Sequence, residues 1–123
     1  MPSSREDWAN EDRILEMFAA FVKCGYEKFY WNLLFESFDA PLAVLGDEVT
    51  FFREVVSGHY PELFRVVEIL RRQGFCYWER PNYKALRLTL YPRIAETILR
   101  NSDDRSLSER AAEAWFKKYM SIS

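Results

Sequence analysis

Apolar residues recur at helical spacing in the first part of the chain and predict a helical N-terminal region. Asn10 can cap a helix that begins near residue 11, and Gly25 is a suitable residue for its end. The apolar face of this helix would consist of Ile14, Phe18, Phe21 and Val22. A second helix is predicted over 27–37, because Gly25 inside one continuous helix would cost about 1 kcal/mol. Residues 1–9 are polar, and we expect a flexible tail there.

The middle of the chain shows two more helical patterns separated by a short turn. Asp47 can cap a helix over 48–57, although the β-branched and aromatic residues of that stretch leave a strand as the alternative. The turn 58–61 ends in a proline that suits the first turn of a helix over 61–73. The buried face of that helix would be Leu63, Val66, Val67 and Leu70.

From residue 75 the pattern changes to that of a β-hairpin. The run Phe75-Cys76-Tyr77-Trp78 favours a strand, and apolar residues alternate with polar ones over 85–91. The two strands, 75–80 and 85–91, would be joined by a tip at 80–84. Two further helices are predicted, one from Pro92 to about residue 100 and one over 105–120, where Ser106 and Glu109 have capping-box spacing.

This order of elements over 42–91 resembles that of a winged helix-turn-helix. Residues 47–57 would be its positioning helix, 61–73 its recognition helix and 75–91 its wing. The stretch from Val66 to Arg80, with an apolar pair, basic residues and a glycine before a strand, carries the resemblance best. It implies a mainly α fold with a β-hairpin, in which extra N- and C-terminal helices flank a winged core within one domain. The turn Gly58-His59-Tyr60-Pro61 and two glutamates in the recognition helix depart from the usual pattern.

The charge distribution agrees with a nucleic-acid partner, although the total charge does not suggest one. The formal net charge is −2, but residues 1–61 carry −6, residues 62–100 carry +4 and residues 101–123 are neutral. The positive charge therefore falls on the presumed recognition helix and wing, where contacts to phosphates would require it. A basic face that is merely solvated is the alternative.

Eight residues are candidates for contact with double-stranded DNA. Arg65 could instead pair with a glutamate of its own helix, and the hairpin tip could be an ordinary polar turn. Tyr77, Trp78 and Tyr83 could stack on unpaired bases or complete the core. The candidate DNA-contacting residues are His59, Tyr60, Arg65, Arg80, Asn82, Tyr83, Lys84 and Arg87.

The C-terminal helix carries an apolar stripe that needs a partner. Ala112, Trp115, Phe116 and Tyr119 could form a homodimer interface, or the stripe could pack on the first helix of the same chain. The sequence leaves both arrangements open.

Residue usage argues against several other classes of protein. Two cysteines and one histidine provide neither a disulfide framework nor a zinc site, and four glycines form no phosphate-binding loop. No cofactor, enzymatic activity, membrane span or signal peptide is expected, so we expect a cytoplasmic protein. The predicted function is DNA binding by a transcriptional regulator. The alternative is a protein–protein interaction module, or adaptor, without DNA binding.

Overall fold

A computed structural model of the protein describes residues 5–49, 51, 53 and 60–123. Within them the chain is mainly helical and contains a small antiparallel sheet. In chain order the elements are α1 (Arg5–Lys23), β1 (Lys28–Tyr30), α2 (Trp31–Ser37), α3 (Asp39–Leu45), a 3-10 turn (Gly46–Glu48), α4 (Pro61–Arg72), β2 (Cys76–Trp78), β3 (Ala85–Leu88), α5 (Pro92–Arg100) and α6 (Arg105–Ile122).

Helix α1 ends as the sequence predicts but begins earlier. Gly25 has a φ of +89°, and the N–H groups of Gly25 and Tyr26 donate to the carbonyls of Val22 and Phe21. This is the Schellman arrangement, which stops a helix and satisfies its last carbonyl groups. The prediction of a flexible tail over 1–9 was wrong for residues 5–9, since the helix begins at Arg5. Residues 1–4 lie outside the described residues.

The predicted helix over 27–37 was wrong in its first part. Residues Lys28–Tyr30 form strand β1, and helix α2 begins only at Trp31. Phe29 is buried opposite Leu86 of β3, so pairing with a distant strand overrides the local helical pattern.

The helix predicted over 48–57 is not seen in the part of that segment that the structure describes. Glu48 closes a 3-10 turn, and Val49 is extended with φ −137° and ψ 159°. Residues 51 and 53 belong to neither a helix nor a strand, while 50, 52 and 54–57 lie outside the described residues. Within the described residues the predicted positioning helix has no counterpart, and the last helix described before α4 is α3.

The predicted hairpin is present, with shorter strands and a third strand beside it. β3 lies between β1 and β2 and is antiparallel to both. Phe29, Leu86 and Trp78 align across the sheet on its inner face, whereas Lys28, Arg87 and Tyr77 align on its outer face. Successive residues alternate between the faces, so the period of two in the sequence predicted the correct inner positions of β3.

Helix α6 packs on α1, α2 and α3 around the fully buried Trp115. The ring centroid of Trp115 lies 6.2 Å from that of Phe18, 5.6 Å from that of Phe21 and 5.0 Å from that of Phe38. Its indole Nε1 donates to the backbone carbonyl of Leu34 at 3.2 Å, which ties α6 to α2. None of the helices in the described ranges is long and apolar enough to cross a membrane.

A buried polar cluster fastens α1 to the turn between α5 and α6. The guanidinium of Arg13 donates to Glu16 Oε1 at 3.1 Å, to Ser108 Oγ at 3.1 Å and to the carbonyl of Asp104 at 3.3 Å. Ser108 and Ser102 both donate to the same carboxylate oxygen of Glu16. Charges at this depth are tolerable because they are paired and hydrogen-bonded.

A second ionic cluster joins α1, α5 and α6 nearer the surface. The guanidinium of Arg105 donates to both carboxylate oxygens of Glu96, at 2.7 and 3.0 Å, and Lys23 binds the same carboxylate. The hydrogen bonds from Arg105, and then that from Lys23, lower the pKa of Glu96 from its ordinary value of 4.5 to about 2.

Substitution of Glu96 by Gln is expected to make the melting temperature depend less on pH between about 4.5 and 2. The folded state lowers the pKa of Glu96, so its stabilisation is fully present above about pH 4.5 and is lost as the pH falls towards 2. The Tm difference between wild type and Glu96→Gln should therefore be largest near neutral pH and shrink below pH 4.5. Glu36→Gln, an exposed position on α2, is the control. A difference that stays constant down to pH 2 would contradict this role for Glu96.

Candidate nucleic-acid interface

Helix α4 presents a cationic outer stripe on the side opposite its four buried apolar residues. Pro61 occupies its first turn, and Leu63, Val66, Val67 and Leu70 are buried. Arg65, Ile69 and Arg72 follow at spacings of four and three residues, and both arginines are exposed. These spacings place the three side chains on one face of a helix, opposite the buried one.

The two glutamates of α4 are directed towards neighbouring elements. Glu62 accepts a hydrogen bond from Asn10 Nδ2 of α1 at 3.3 Å. Glu68 accepts from the indole Nε1 of Trp78 at 3.0 Å and from Arg71 Nε at 2.6 Å. Burial alone would raise the pKa of Glu68, but these two hydrogen bonds, together with the positive charges of Arg71 and Arg72, hold the pKa below its ordinary value. The acidic residues that depart from the winged-helix pattern are therefore bound by other side chains.

The tip of the hairpin is a tight turn that leaves its side chains exposed. The N–H of Tyr83 donates to the carbonyl of Glu79 at 3.0 Å, and Tyr83 has a φ of +58°. Asn82 Oδ1 accepts from the N–H of Lys84 at 3.2 Å, and the carbonyl of Lys84 accepts from the N–H of Trp31 at 2.8 Å. The side chains of Arg80, Asn82, Tyr83 and Lys84 are exposed. The turn is thus held by hydrogen bonds within the hairpin and by a backbone bond to α2, with two cations exposed at its surface.

A shallow groove lies between α4 and the hairpin. Its volume is about 460 Å³, and Arg71, Tyr77, Arg80 and Tyr83 line it. The structure therefore brings Arg80 and Tyr83 of the tip close to the C-terminal end of α4. Tyr77 and Tyr83 are exposed, whereas Trp78 is half-buried against α4, so the three aromatic residues of the hairpin have different surroundings.

Arg87 lies apart from this groove, on the outer face of the sheet. It pairs with Glu27 at 3.5 Å and with Glu79 at 3.5 Å, and Lys28 binds the same Glu79 carboxylate at 3.3 Å. Its charge is neutralised within the chain, so the structure does not group Arg87 with Arg80 and Lys84.

Tyr60 is buried at the start of α4, where its side chain contacts α3 and the residue before it. Its hydroxyl donates to the carboxylate of Asp39, and its ring packs edge-on against Phe38 at 5.3 Å. Burial, and then the hydrogen bond to Asp39, raises the pKa of Tyr60 to about 12. The residue anchors α4 to α3. The other candidate in the preceding turn, His59, lies outside the described residues.

Phe64 lies outside the buried face of α4. Its side chain is 45% exposed, and its ring lies 5.9 Å from Trp31 and 6.0 Å from Trp78. With Phe35, which contacts Trp31 at 4.3 Å, these rings form a partly exposed cluster between α2, α4 and the hairpin. The hydrophobic spacing of α4 alone does not reveal this cluster, because α2 and β2 supply the other rings.

The stripe predicted as a dimer interface is largely covered by the chain itself. Ala112, Trp115 and Tyr119 are buried, and the Tyr119 hydroxyl accepts from the N–H of Tyr30 at 2.7 Å. Phe116 is half-buried, with its ring 4.0 Å from that of Tyr26. Of the two arrangements that the sequence leaves open, packing within the chain accounts for the three buried residues.

The described part of the chain contains no group of three His, Cys, Asp or Glu side chains placed to hold a metal ion. Cys76 is buried, and its Sγ lies 3.8 Å from the carbonyl of Val67. Burial raises the pKa of this thiol to about 12, so it packs in its neutral form.

No protein-family model matches the chain. A search of curated proteins and a search of solved structures also give no match.

Proposed function

We propose that the protein binds double-stranded DNA through α4 and the tip of the hairpin, as a transcriptional regulator of the winged-helix type would. The observation that carries the proposal is the placement of charge on α4. Both glutamates bind side chains of other residues, while Arg65 and Arg72 share the outer stripe. A helix with such a face can lie in the major groove, where basic side chains contact base edges and phosphates.

The hairpin supports this proposal through its position directly after α4. Arg80 and Lys84 are exposed at its tip, and Arg80 shares a groove with Arg71 of the helix. A wing beside a recognition helix would place these cations on the phosphates that flank the major groove. Asn82 and Tyr83 add hydrogen-bonding groups at the same tip.

Arg87 and Tyr60 do not carry the proposed contact. Arg87 is paired with two glutamates, and Tyr60 is buried against Asp39. The DNA face is therefore smaller than the sequence suggests: the outer stripe of α4 and the four exposed residues of the tip. Since the whole chain carries −2, attraction to DNA has to come from this local face.

Replacement of Arg80 and Lys84 by Ala should weaken DNA binding and reduce its dependence on salt. Four phosphate contacts, from Arg65, Arg72, Arg80 and Lys84, predict that wild-type affinity falls about 100-fold between about 50 and 200 mM salt. With two contacts removed, the same change of salt should reduce affinity only about tenfold. Fluorescence anisotropy with a labelled random duplex measures both slopes.

The matched control is Arg100→Ala/Arg110→Ala, which removes two exposed arginines from α5 and α6. It changes the net charge equally but should leave most of the salt slope intact. Both double variants should keep their melting temperature within about 3 °C of wild type, since surface substitutions change stability little. Equal slopes for the two variants would contradict a contact at the hairpin tip.

Absence of wild-type binding at low salt would contradict the DNA proposal as a whole. The second candidate function is then binding of a protein partner. The partly exposed rings of Trp31, Phe35, Phe64 and Trp78 favour that candidate, because aromatic residues are enriched in protein interfaces.

A further inference from the structure

An apolar groove runs between the end of α1 and helix α6, away from α4 and the hairpin. Its volume is about 440 Å³. Apolar side chains make up most of its lining, namely Ala20, Phe21, Tyr26, Ala112 and Phe116. Lys23, Cys24, Glu109 and Glu113 complete it. On the side of α6, the groove extends from Glu109 to Phe116.

Helix α6 also carries exposed apolar surface on the side that borders this groove. At 100° per residue, Glu109, Glu113, Phe116 and Met120 lie within about 60° of one another around the helix. Met120 is 55% exposed, although it is a large apolar residue. The stripe is therefore acidic in the N-terminal half of α6 and apolar in the C-terminal half, with Lys117 beside it.

We infer that the groove binds α6 of a second copy of this chain, in an antiparallel pair centred near Trp115. In that register Met120 of the second copy lies level with Arg110, and Phe116 of the second copy lies level with Ala114. The exposed Met120 then reaches the stretch of the groove between Glu109 and Phe116, while Phe116 stays packed on Tyr26 and borders the contact. Each copy thus places an apolar side chain in the groove of the other.

Charge complementarity selects a second copy over an unrelated helix. Glu113 and Lys117 form an exposed pair within one helix at 3.3 Å. The antiparallel register places Lys117 of the second copy level with Glu113, and the two-fold axis repeats this pair. An opposite charge therefore meets each member of the pair across the interface, beside the apolar contact. The buried Trp115 and Tyr119 take no part.

Oligomeric state and charge exchange test this interface. Analytical ultracentrifugation from about 1 μM to 1 mM should show the 14.7 kDa chain in equilibrium with a species of twice that mass. Glu113→Lys and Lys117→Glu should each weaken dimerisation by about tenfold or more, because like charges then face each other across the axis. An equimolar mixture of the two variants should form a heterodimer at least as tightly as wild type, which native mass spectrometry resolves.

Two controls make the result specific to this surface. Lys118→Glu makes the same charge change one residue further along, on another side of α6, and should leave dimerisation unchanged. Met120→Ser should weaken it without lowering the melting temperature measured at a concentration where the wild type is monomeric, since Met120 is exposed. A wild-type chain that remains monomeric over the whole range overturns the inference. A dimer that neither charge reversal weakens overturns it as well.

Discussion

Substitution of Arg13 by Ala is expected to destabilise the protein by about 3–5 kcal/mol, which is the cost of breaking a buried ion pair by removal of one partner. The guanidinium is only 4% exposed and is the cation that compensates Glu16, which is 8% exposed. Without it, the carboxylate of Glu16 stays buried, and the donors left to it among the described residues are the hydroxyls of Ser102 and Ser108. Urea denaturation, with an unchanged m-value, measures the loss in the free energy of unfolding.

A double variant separates two contributions to this loss of stability: the uncompensated charge of Glu16 and the lost contacts of Arg13. Arg13→Met keeps an apolar side chain of similar length, and Glu16→Gln removes the charge while it retains an oxygen for the serine hydroxyls. Arg13→Met/Glu16→Gln should therefore lose less stability than Arg13→Met alone. If the stability losses of Arg13→Met and Glu16→Gln, measured singly, simply add up in the double variant, the uncompensated charge of Glu16 does not cause the loss in Arg13→Met.

The same cluster shows why the acidic half of the sequence does not produce a wholly acidic surface. Arg13 also pairs with Glu48 at 3.5 Å and with Asp103 at 2.9 Å. Glu27 is bound by Arg87, and Asp39 accepts from the hydroxyl of Tyr60. Charges counted along the chain are thus partly neutralised by residues far away in sequence. Segment sums leave such pairs out, so they overstate the repulsion from the acidic segment.

Local patterns predicted the elements whose partners lie close in sequence. Residue types and spacing predicted helix α4, which lies between Pro61 and Gly74, together with its four buried residues. The alternation of apolar and polar residues likewise predicted β3. The hairpin was predicted for the same reason, because its two strands and its turn are contiguous. Strand β1 was missed, since a three-residue strand becomes recognisable only when β3 pairs with it.

In the candidate site too, some features could be predicted from the sequence and others required the structure. The exposure of Arg80, Asn82, Tyr83 and Lys84 follows from turn chemistry, which a sequence displays directly. The pairing of Arg87 depends on Glu27, sixty residues away, and cannot be read from the alternation of its own strand. Contacts of this kind decide which basic residues face a ligand, and they required the structure.

The core around Trp115 predicts the other large effect on stability. Trp115→Ala should lower the free energy of unfolding by about 3–5 kcal/mol, because it removes the ring that α1, α2 and α3 pack against. Trp115→Phe should lose about 1–3 kcal/mol, since it keeps an aromatic ring but leaves a small cavity and removes the indole hydrogen bond to the carbonyl of Leu34, which keeps Ser37 Oγ as a donor. Guanidinium denaturation followed by circular dichroism measures both losses.

The protein concentration used in that experiment distinguishes a core residue from an interface residue. If Trp115 stabilises each chain from inside, the loss in Trp115→Ala should be the same at low concentration, where the chain is monomeric, as at high concentration. Met120→Ala, at an exposed position of the same helix, should change monomer stability by less than about 0.5 kcal/mol. A Trp115→Ala loss that appears only at high concentration would place Trp115 between chains and contradict its packing against Phe18 and Phe38.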